Sequence, residues 1–189
     1  MKIRFLSDTN NSADSLEYNV SYTGSPLDGY PKWVRIDITN VQGTSITADL
    51  KVERLDGTSD TNSGTFDLQT GVPDLLLISA GLDVGDEFYH EDFGNNAISE
   101  TEDKTYAEAK RTIVISTIDI IVLHWDKSTG ILLQSDQSED NFTQKMLADK
   151  TNMWEPQIFG LDSTIFYILI VAVIAVVAII VLYLYRRKQ

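Results

Sequence analysis

Hydrophobic and polar residues alternate with a period of two along most of this chain. In the segment SLEYNVSY, every second residue from Leu16 to Tyr22 is apolar. In KWVRIDITNV, Val34 and Ile36 fall on one side, whereas Trp33 and Arg35 fall on the other. Because successive side chains of a β-strand point to opposite faces, this alternation predicts strands with one buried face.

The same pattern recurs after short turn signals. SITADLKVERL alternates again, and the short VQGT turn before it predicts an antiparallel hairpin. The segments TFDLQT, EFYH, TYAEAKRTIVIST, IDIIVLHWD, ILLQSD and FTQKMLAD are each predicted as one strand. The polar stretches Asp56–Gly64 and EDFGNNAISETED are predicted as a turn and an acidic loop. Leu75–Ile78 is a continuous apolar run that fits a short helix or a buried strand equally well.

These eight or nine predicted strands indicate a mainly β fold. We expect a single antiparallel curved sheet, a half-barrel or a barrel. Helical signals are few before residue 163, and no repeat of fixed period is present.

An uncharged apolar stretch near the C-terminus predicts one transmembrane helix. Residues Ile165 to Tyr185 contain no charge, Gly or Pro. A helix of this length reaches about 31 Å, which matches a hydrocarbon core of roughly 30 Å. The stretch begins at Ile165, and aromatic residues of the kind found at membrane interfaces mark both ends: Phe166 and Tyr167 at one, Tyr183 and Tyr185 at the other.

The charge distribution predicts the orientation of this span. Three cations, Arg186, Arg187 and Lys188, follow it, whereas all 28 acidic residues precede it. Because positive residues beside a span stay in the cytoplasm, we expect the N-terminal domain outside the plasma membrane. The first 15 residues hold no apolar run of signal-peptide length. A truncated or misassigned start, another export route, and a tail-anchored protein with a cytoplasmic domain therefore remain open.

Composition excludes several kinds of partner and site. The chain has no Cys, so thiol catalysis, disulfides and zinc–thiolate sites are excluded. Its net charge of −13 argues against nucleic acid and anionic lipid headgroups as partners. Asn10, Asn19 and Asn141 each begin an Asn-x-Ser/Thr sequence and are candidate glycosylation sites.

The stretch LHWDKSTGILLQ places His124, Trp125 and Asp126 side by side, which raises the question of catalysis. Gly130 can adopt the positive φ that closes a short hairpin loop, and Asp126 can accept hydrogen bonds from turn amides. A catalytic relay needs a nucleophile beside His124, and no residue pattern identifies one. We therefore predict a structural hairpin at Trp125, Asp126 and Gly130, and no catalytic residues.

The hairpin WDKSTGILLQ resembles one in curved-sheet lipid and lipoprotein carrier domains of cell envelopes. The order of WVRIDITNVQGTSITADLKV, the turn at Leu82–Asp86 and the WD-x-x-TG hairpin before a C-terminal span is also similar to that of uncharacterised archaeal membrane-anchored surface proteins. The resemblance covers roughly Ser15 to Tyr185 and rests on short, turn-like motifs. It implies a surface β domain with no assigned activity, so no site residues follow from it.

Acidic residues cluster at two places that invite a metal interpretation. Asp83, Asp86, Glu87, Glu91 and Asp92 surround His90, and a second group lies at Asp56, Asp60 and Asn62. Neither follows the calcium-loop spacing, so we predict weak calcium binding at most, no metal site and no cofactor.

These patterns predict a non-enzymatic, single-pass cell-surface protein that binds a ligand or has a structural role. We expect a flexible segment at 1–14, an extracytoplasmic β domain at 15–151, a linker at 152–163, a transmembrane helix at 164–185 and a cytoplasmic tail at 186–189. The expected partners are the membrane and an envelope protein, glycan or lipid. A carrier or sensor of apolar ligands is the alternative, and an open apolar groove of several hundred Å³ would distinguish it.

Overall fold

Nine strands form one antiparallel sheet in the computed structural model, which describes residues 13–71, 75–158 and 160–187. The elements in chain order are β1 Asp14–Thr23, β2 Pro31–Gln42, β3 Ser45–Arg54, β4 Ser59–Asp67, β5 Glu87–His90, β6 Gly94–Ala97, β7 Glu100–Tyr106, β8 Ala109–Ile118, β9 Ile121–Asp126, β10 Leu132–Glu139, β11 Phe142–Thr151, β12 Gln157–Ile158, β13 Leu161–Asp162 and α1 Ser163–Arg187. The sheet order is β4-β3-β2-β1-β11-β10-β9-β8-β7. The predicted mainly β fold with one antiparallel sheet is confirmed. The sheet is unclosed, because β4 and β7 are its two edges, so the barrel alternative is not formed.

The sheet consists of two meanders that meet at one central pairing. β1 to β4 follow one another on one side, and β7 to β11 do so on the other. β1 pairs with β11 from Leu16↔Thr151 to Thr23↔Thr143, so the first and last strands of the sheet lie side by side at its centre. This arrangement makes the two halves of the chain one β domain.

Two predicted boundaries are wrong, and both errors concern polar strands. The stretch predicted as a turn at Asp56–Gly64 is mostly β4, which begins at Ser59 and is exposed over its first five residues. The predicted acidic loop at 91–103 contains β6 and the start of β7. Edge strands need no apolar alternation when both faces are exposed, so their sequence carries little strand signal.

TYAEAKRTIVIST is two strands rather than one. The chain reverses at Ala107 and Glu108, whose φ angles are 43° and 63°. Positive φ at both central residues fits the two-residue turn that joins antiparallel strands, but the preferred residues there are Asn and Gly. This position therefore lacks the Asn or Gly that would predict a turn from the sequence.

The apolar face of the sheet carries the core. Leu16, Ile36, Ile46 and Trp125 are each at most 2% exposed. The chain between β4 and β7 crosses this face at the C-terminal half of the sheet. Trp125 Nε1 donates a hydrogen bond to the Leu75 carbonyl at 2.8 Å, and the Phe88 ring meets the Trp125 ring edge-on at 5.2 Å.

The apolar run at 75–78 is neither the helix nor the strand that the sequence left open. It is a turn followed by an isolated bridge, Leu77↔Ile131, that attaches the crossing segment to the sheet. Between Phe66 and His90 the crossing segment leaves a cavity of about 20 Å³, which is room for about one water molecule. Around this crossing segment, the interior is filled by the protein's own side chains.

The chain divides into two compact units, residues 1–154 and 155–189. In the first unit, Asn152 Oδ1 accepts a hydrogen bond from the Ser15 amide at 2.7 Å, and Trp154 lies 4.6 Å from the Arg111 guanidinium. The second unit contains the short β12–β13 hairpin and α1. α1 has a mean hydropathy of 3.5, and among the described helices it is the one long and apolar enough to cross a membrane.

Candidate functional site

A shallow groove of about 420 Å³ lies on the polar face of the sheet, around Trp33. Trp33 sits on β2 and pairs with Asn19 of β1 on one side and with Glu53 of β3 on the other. Directly paired residues of antiparallel strands point to the same face, so these three side chains stand together. The indole ring is half-buried, whereas Asn19 is exposed.

Two lysines flank the ring. Lys51 Nζ lies 6.0 Å from the centroid of the Trp33 ring, within the range of a cation–π contact. Lys32 Nζ lies 2.6 Å from Glu53 Oε1, and both side chains are substantially exposed. The Glu53 carboxylate is therefore balanced by Lys32, whereas Lys51 places a positive charge over the Trp33 ring.

The rim of the groove is the loop between β3 and β4, and its backbone is held by several hydrogen bonds. The Leu55 amide donates to the Tyr30 carbonyl at 2.9 Å, and the Asp56 amide donates to the Asp28 carbonyl at 3.1 Å. Asp56 Oδ1 accepts from the Thr58 amide at 2.8 Å. These contacts hold in place Gly57 and Ser59, which line the groove.

A second polar cluster lies on the same face in the other half of the sheet and is buried. Tyr106, His124 and Gln134 are each less than 10% exposed. Tyr106 Oη donates to Gln134 Oε1 at 2.9 Å and lies 3.4 Å from His124 Nδ1. Lys104 Nζ also donates to Gln134 Oε1, at 3.2 Å, and Gln134 Nε2 donates to Asp136.

The electrostatics of this cluster oppose nucleophilic chemistry. Burial raises the pKa of Tyr106, and the charges of Glu102 and Asp136 raise it further. Burial also lowers the pKa of His124, with a smaller contribution from the Lys104 charge. A tyrosine whose pKa is raised is ionised less readily and is therefore a poorer nucleophile. The cluster is a satisfied hydrogen-bond network.

The stretch around Asp126 is a tight turn between β9 and β10. Asp126 is 1% exposed, and Arg111, Ser128 and Thr129 all donate hydrogen bonds to its carboxylate. Burial alone raises the pKa of Asp126, but the hydrogen bonds from these three partners outweigh it and lower the pKa below its usual value. Gly130 has a φ of 76°, and a Cβ built on it would lie 2.0 Å from the Ile78 carbonyl oxygen.

The residues around His90 that were considered as metal ligands form hydrogen bonds with different partners instead of facing one common point. Asp83 Oδ2 accepts from Lys127 Nζ at 2.6 Å, and Asp86 Oδ2 accepts from the Asp83 amide at 2.8 Å. His90 Nδ1 accepts from the Asp92 amide at 3.1 Å. Within 13–71, 75–158 and 160–187, no three His, Asp or Glu side chains converge as a metal site would require.

The remaining predicted positions are distributed over both units. Asn19 lies in β1 at the groove, and Asn141 lies exposed in the turn between β10 and β11. Asn10 and Lys188 fall outside the described residues. The predicted anchor residues lie in α1, with Ile165, Phe166 and Tyr167 in its first part and Tyr183, Tyr185, Arg186 and Arg187 at its end.

Sequence reasoning identified Trp33 as a residue of the polar side of its strand but not the groove. Four strands, β1 to β4, and the β3–β4 loop supply its lining. The available signal was a large aromatic residue at a position where alternation calls for a polar one.

Comparison with known proteins gives little further information. No family model and no curated protein matches the chain. A solved structure described as "The Siderocalin Ex-FABP functions through dual ligand specificities" aligns at 13% identity over 72% of this chain and 70% of that one, with a TM-score of 0.27. At this TM-score the two chains do not superpose as one fold, so neither fold nor ligand follows from the alignment. The resemblance to archaeal surface proteins gains no support from these comparisons.

Proposed function

We propose that this protein is a single-pass, membrane-anchored, non-enzymatic β domain that binds a ligand at the cell surface through the polar face of its sheet. The observation that carries the proposal is the combination of a filled apolar face, an open polar groove and a long apolar helix in one chain. The helix supports anchoring, and the groove supports binding. The structural alternative, a scaffold without a ligand, leaves the groove unexplained.

The filled core argues against the carrier alternative. A lipid or drug-sized ligand occupies pockets of roughly 300–1,000 Å³ that are mostly apolar. The cavity beneath the crossing segment measures about 20 Å³, and the largest core side chains around it are almost fully buried. An apolar ligand bound beneath the crossing segment would therefore have to displace core side chains, which is unfavourable in a packed interior.

The proposed orientation has the β domain outside and the C-terminus in the cytoplasm. Arg186 and Arg187 end α1, and Lys188 follows them in the sequence. Cations beside a span favour the cytoplasmic side, and cations in the last helical turn also interact favourably with the helix dipole.

Single-cysteine labelling tests this topology cleanly because the chain contains no native Cys. Ser138→Cys replaces an exposed residue of β10 with one of similar size. We expect a membrane-impermeant maleimide to label this variant in intact cells. A Cys added after Gln189 should react only after lysis.

Ser116→Cys is the matched control for folding. Ser116 is 2% exposed and donates a hydrogen bond to the Ala97 carbonyl at 2.8 Å, so its thiol should react only after denaturation. If the C-terminal Cys is labelled in intact cells while Ser138→Cys needs lysis, the domain is cytoplasmic and the proposal is wrong.

A further inference from the structure

We infer that the groove around Trp33 binds an acidic carbohydrate, a sugar that carries a carboxylate group. The inference names a ligand class for the proposed binding role and rests on that role. It follows from three properties of the groove: an aromatic surface, a set of hydrogen-bonding groups beside it and a local excess of positive charge.

The aromatic surface is the Trp33 ring, which is half-buried on an otherwise polar sheet face. Neighbours on both sides hold it, since it pairs with Asn19 on β1 and with Glu53 on β3. The face of an aromatic ring is negative and attracts the weakly positive C–H groups that line one side of a pyranose. A rigid, partly exposed indole is therefore a platform on which one sugar ring can stack.

Hydrogen-bonding groups of several kinds surround this platform. Asn19 offers an amide, Ser59 a hydroxyl and Glu53 a carboxylate, and all three line the groove. Sugar hydroxyls both donate and accept, so a mixed set of donors and acceptors suits them. The groove volume of about 420 Å³ lies in the range of small-molecule sites.

The charges around the ring select for an anion of low charge density. Lys32 balances Glu53 at 2.6 Å, so the charge of Lys51 is the net charge at the ring. The next cation along this face, Arg35, is already paired with Glu17 and Asp37. A single carboxylate beside Lys51 is favoured, whereas the net charge of −13 repels a dense polyanion such as nucleic acid.

A direct binding measurement on the full chain tests the inference. The protein is produced in a bacterial host that adds no Asn-linked glycan, so that Asn19 is unmodified, and is placed in phosphatidylcholine nanodiscs without sugar-headed detergent. Calorimetry with galacturonic acid is compared with galactose, which lacks the carboxylate, as the neutral reference. We expect one site for galacturonic acid and about tenfold weaker affinity for galactose, the difference that one charge-assisted contact supplies.

Two variants locate the site, and a third controls for surface charge. Trp33→Ala should lower the affinity for galacturonic acid by about threefold to tenfold, because a contact with one aromatic ring contributes roughly that much. Lys51→Gln should bring the acidic and neutral ligands to similar affinity. Lys145→Gln removes an exposed lysine of the same face that is paired with Asp136, outside the groove, and should bind like the unmodified protein. Lys51→Gln changes an exposed side chain and keeps the test valid if Trp33→Ala fails to fold.

Four results would overturn the inference: no heat with galacturonic acid, equal affinity for galactose, a loss of affinity in Lys145→Gln equal to that in Lys51→Gln, or tighter binding of adenosine monophosphate. The cysteine labelling described above is independent of all four. If Ser138→Cys is labelled in intact cells but no sugar binds, the proposed ligand class is wrong and the proposed membrane-anchored surface domain is still supported. Labelling only after lysis removes the surface location on which both proposals rest.

Discussion

The guanidinium of Arg111 holds the carboxylate of Asp126 through two parallel hydrogen bonds, from Nε to Oδ1 at 2.9 Å and from Nη2 to Oδ2 at 3.0 Å. Asp126 is almost completely buried, and the Trp154 ring lies 4.6 Å from the guanidinium carbon. The pair therefore connects β8, the turn after β9 and the end of the β unit. This contact gives the aspartate after Trp125 a structural role in the turn.

Replacement of Arg111 by Met should destabilise the protein strongly. The variant leaves a buried carboxylate without its charged partner, which typically costs about 3–5 kcal/mol. Ser128 and Thr129 still donate to Asp126, so we expect the lower end of this range. Urea unfolding of the full chain in detergent, followed by Trp fluorescence, measures the change in the free energy of unfolding.

Lys110→Met is the matched control, because it removes the neighbouring cation on β8. Lys110 pairs with Asp103 at 3.0 Å, and both side chains are about half exposed. Exposed ion pairs contribute about 0–1 kcal/mol. Equal losses in the two variants would contradict the structural role assigned to Arg111.

Gly130→Ala should destabilise more than Gly57→Ala. Both residues have positive φ, so both variants carry a backbone cost of about 1–2 kcal/mol. The new Cβ at Gly57 meets no atom within 4 Å, whereas that at Gly130 would lie 2.0 Å from the Ile78 carbonyl oxygen. Gly130→Ala therefore also displaces the segment that crosses the apolar face. Thermal unfolding of both variants compares the two costs, and similar melting temperatures would argue against this close approach.

The buried His124 should make the protein less stable in mild acid. Burial lowers its pKa in the folded state, so the unfolded chain binds a proton more readily. The contribution of His124 to stability is complete above its unfolded pKa of about 6.5 and falls as the pH drops from there towards the lower folded pKa. We expect His124→Asn to lessen the loss of stability between about pH 7 and pH 5.

The variant Tyr106→Phe distinguishes burial from hydrogen bonding as the cause of the lowered pKa of His124. It removes the hydroxyl 3.4 Å from His124 Nδ1 but keeps the ring that buries it. Because burial is the larger cause of the lowered pKa, this variant should retain the acid sensitivity. A pH-independent Tyr106→Phe variant would assign the effect to the hydrogen bond instead.

A chain that ends after Asp162 should be soluble and mainly β. This truncation removes α1, whose side chains form a continuous exposed apolar surface, and retains every strand listed above. The β unit buries its apolar face with its own residues and should not need lipid to fold. Size-exclusion chromatography and circular dichroism measure this, and a helix-dominated spectrum or persistent aggregation would contradict it.

Calcium should bind weakly and without fixed stoichiometry. The carboxylates of Asp83 and Asp86 already accept hydrogen bonds from Lys127 and from the Asp83 amide, and preorganised calcium cages instead direct six to eight oxygens at one point. Calorimetry at physiological salt should show at most weak attraction that decreases as salt rises. A micromolar site that is lost in Asp86→Asn would reverse this prediction.

The sequence predicts the fold well where one face of a strand is buried. Leu16, Ile36 and Ile46 alternate with polar neighbours, and their strands lie where the alternation places them. β4 was mostly missed because its first five residues are exposed, so that neither face requires apolar residues. The turn at Ala107 and Glu108 was missed because neither residue is the Gly or Asn that usually marks positive φ in a two-residue turn.

The candidate groove could not be predicted from the sequence, for a different reason. Its members, from Asn19 to Ser59, are separated along the chain and meet only through strand register. The alternation of apolar and polar residues assigns Trp33 to the polar side of its strand. It does not show which residues of the adjacent strands lie beside Trp33. Likewise, the sequence placed His124 and Asp126 on one side, but their separate partners, Tyr106 and Arg111, come from β7 and β8.

The central pairing of β1 with β11 has a consequence for the order of folding. Thr151 Oγ1 donates to the Ser15 carbonyl across 136 residues of chain, so this seam is the most remote contact of the sheet. During synthesis β1 is an unpaired edge until β11 emerges, shortly before α1 begins at Ser163. Loop closure over such a distance is slow, and an unpaired strand edge invites association with other chains. The β unit is therefore completed at nearly the same moment as α1 is made, and a nascent chain that stalls before β11 exposes the centre of the sheet.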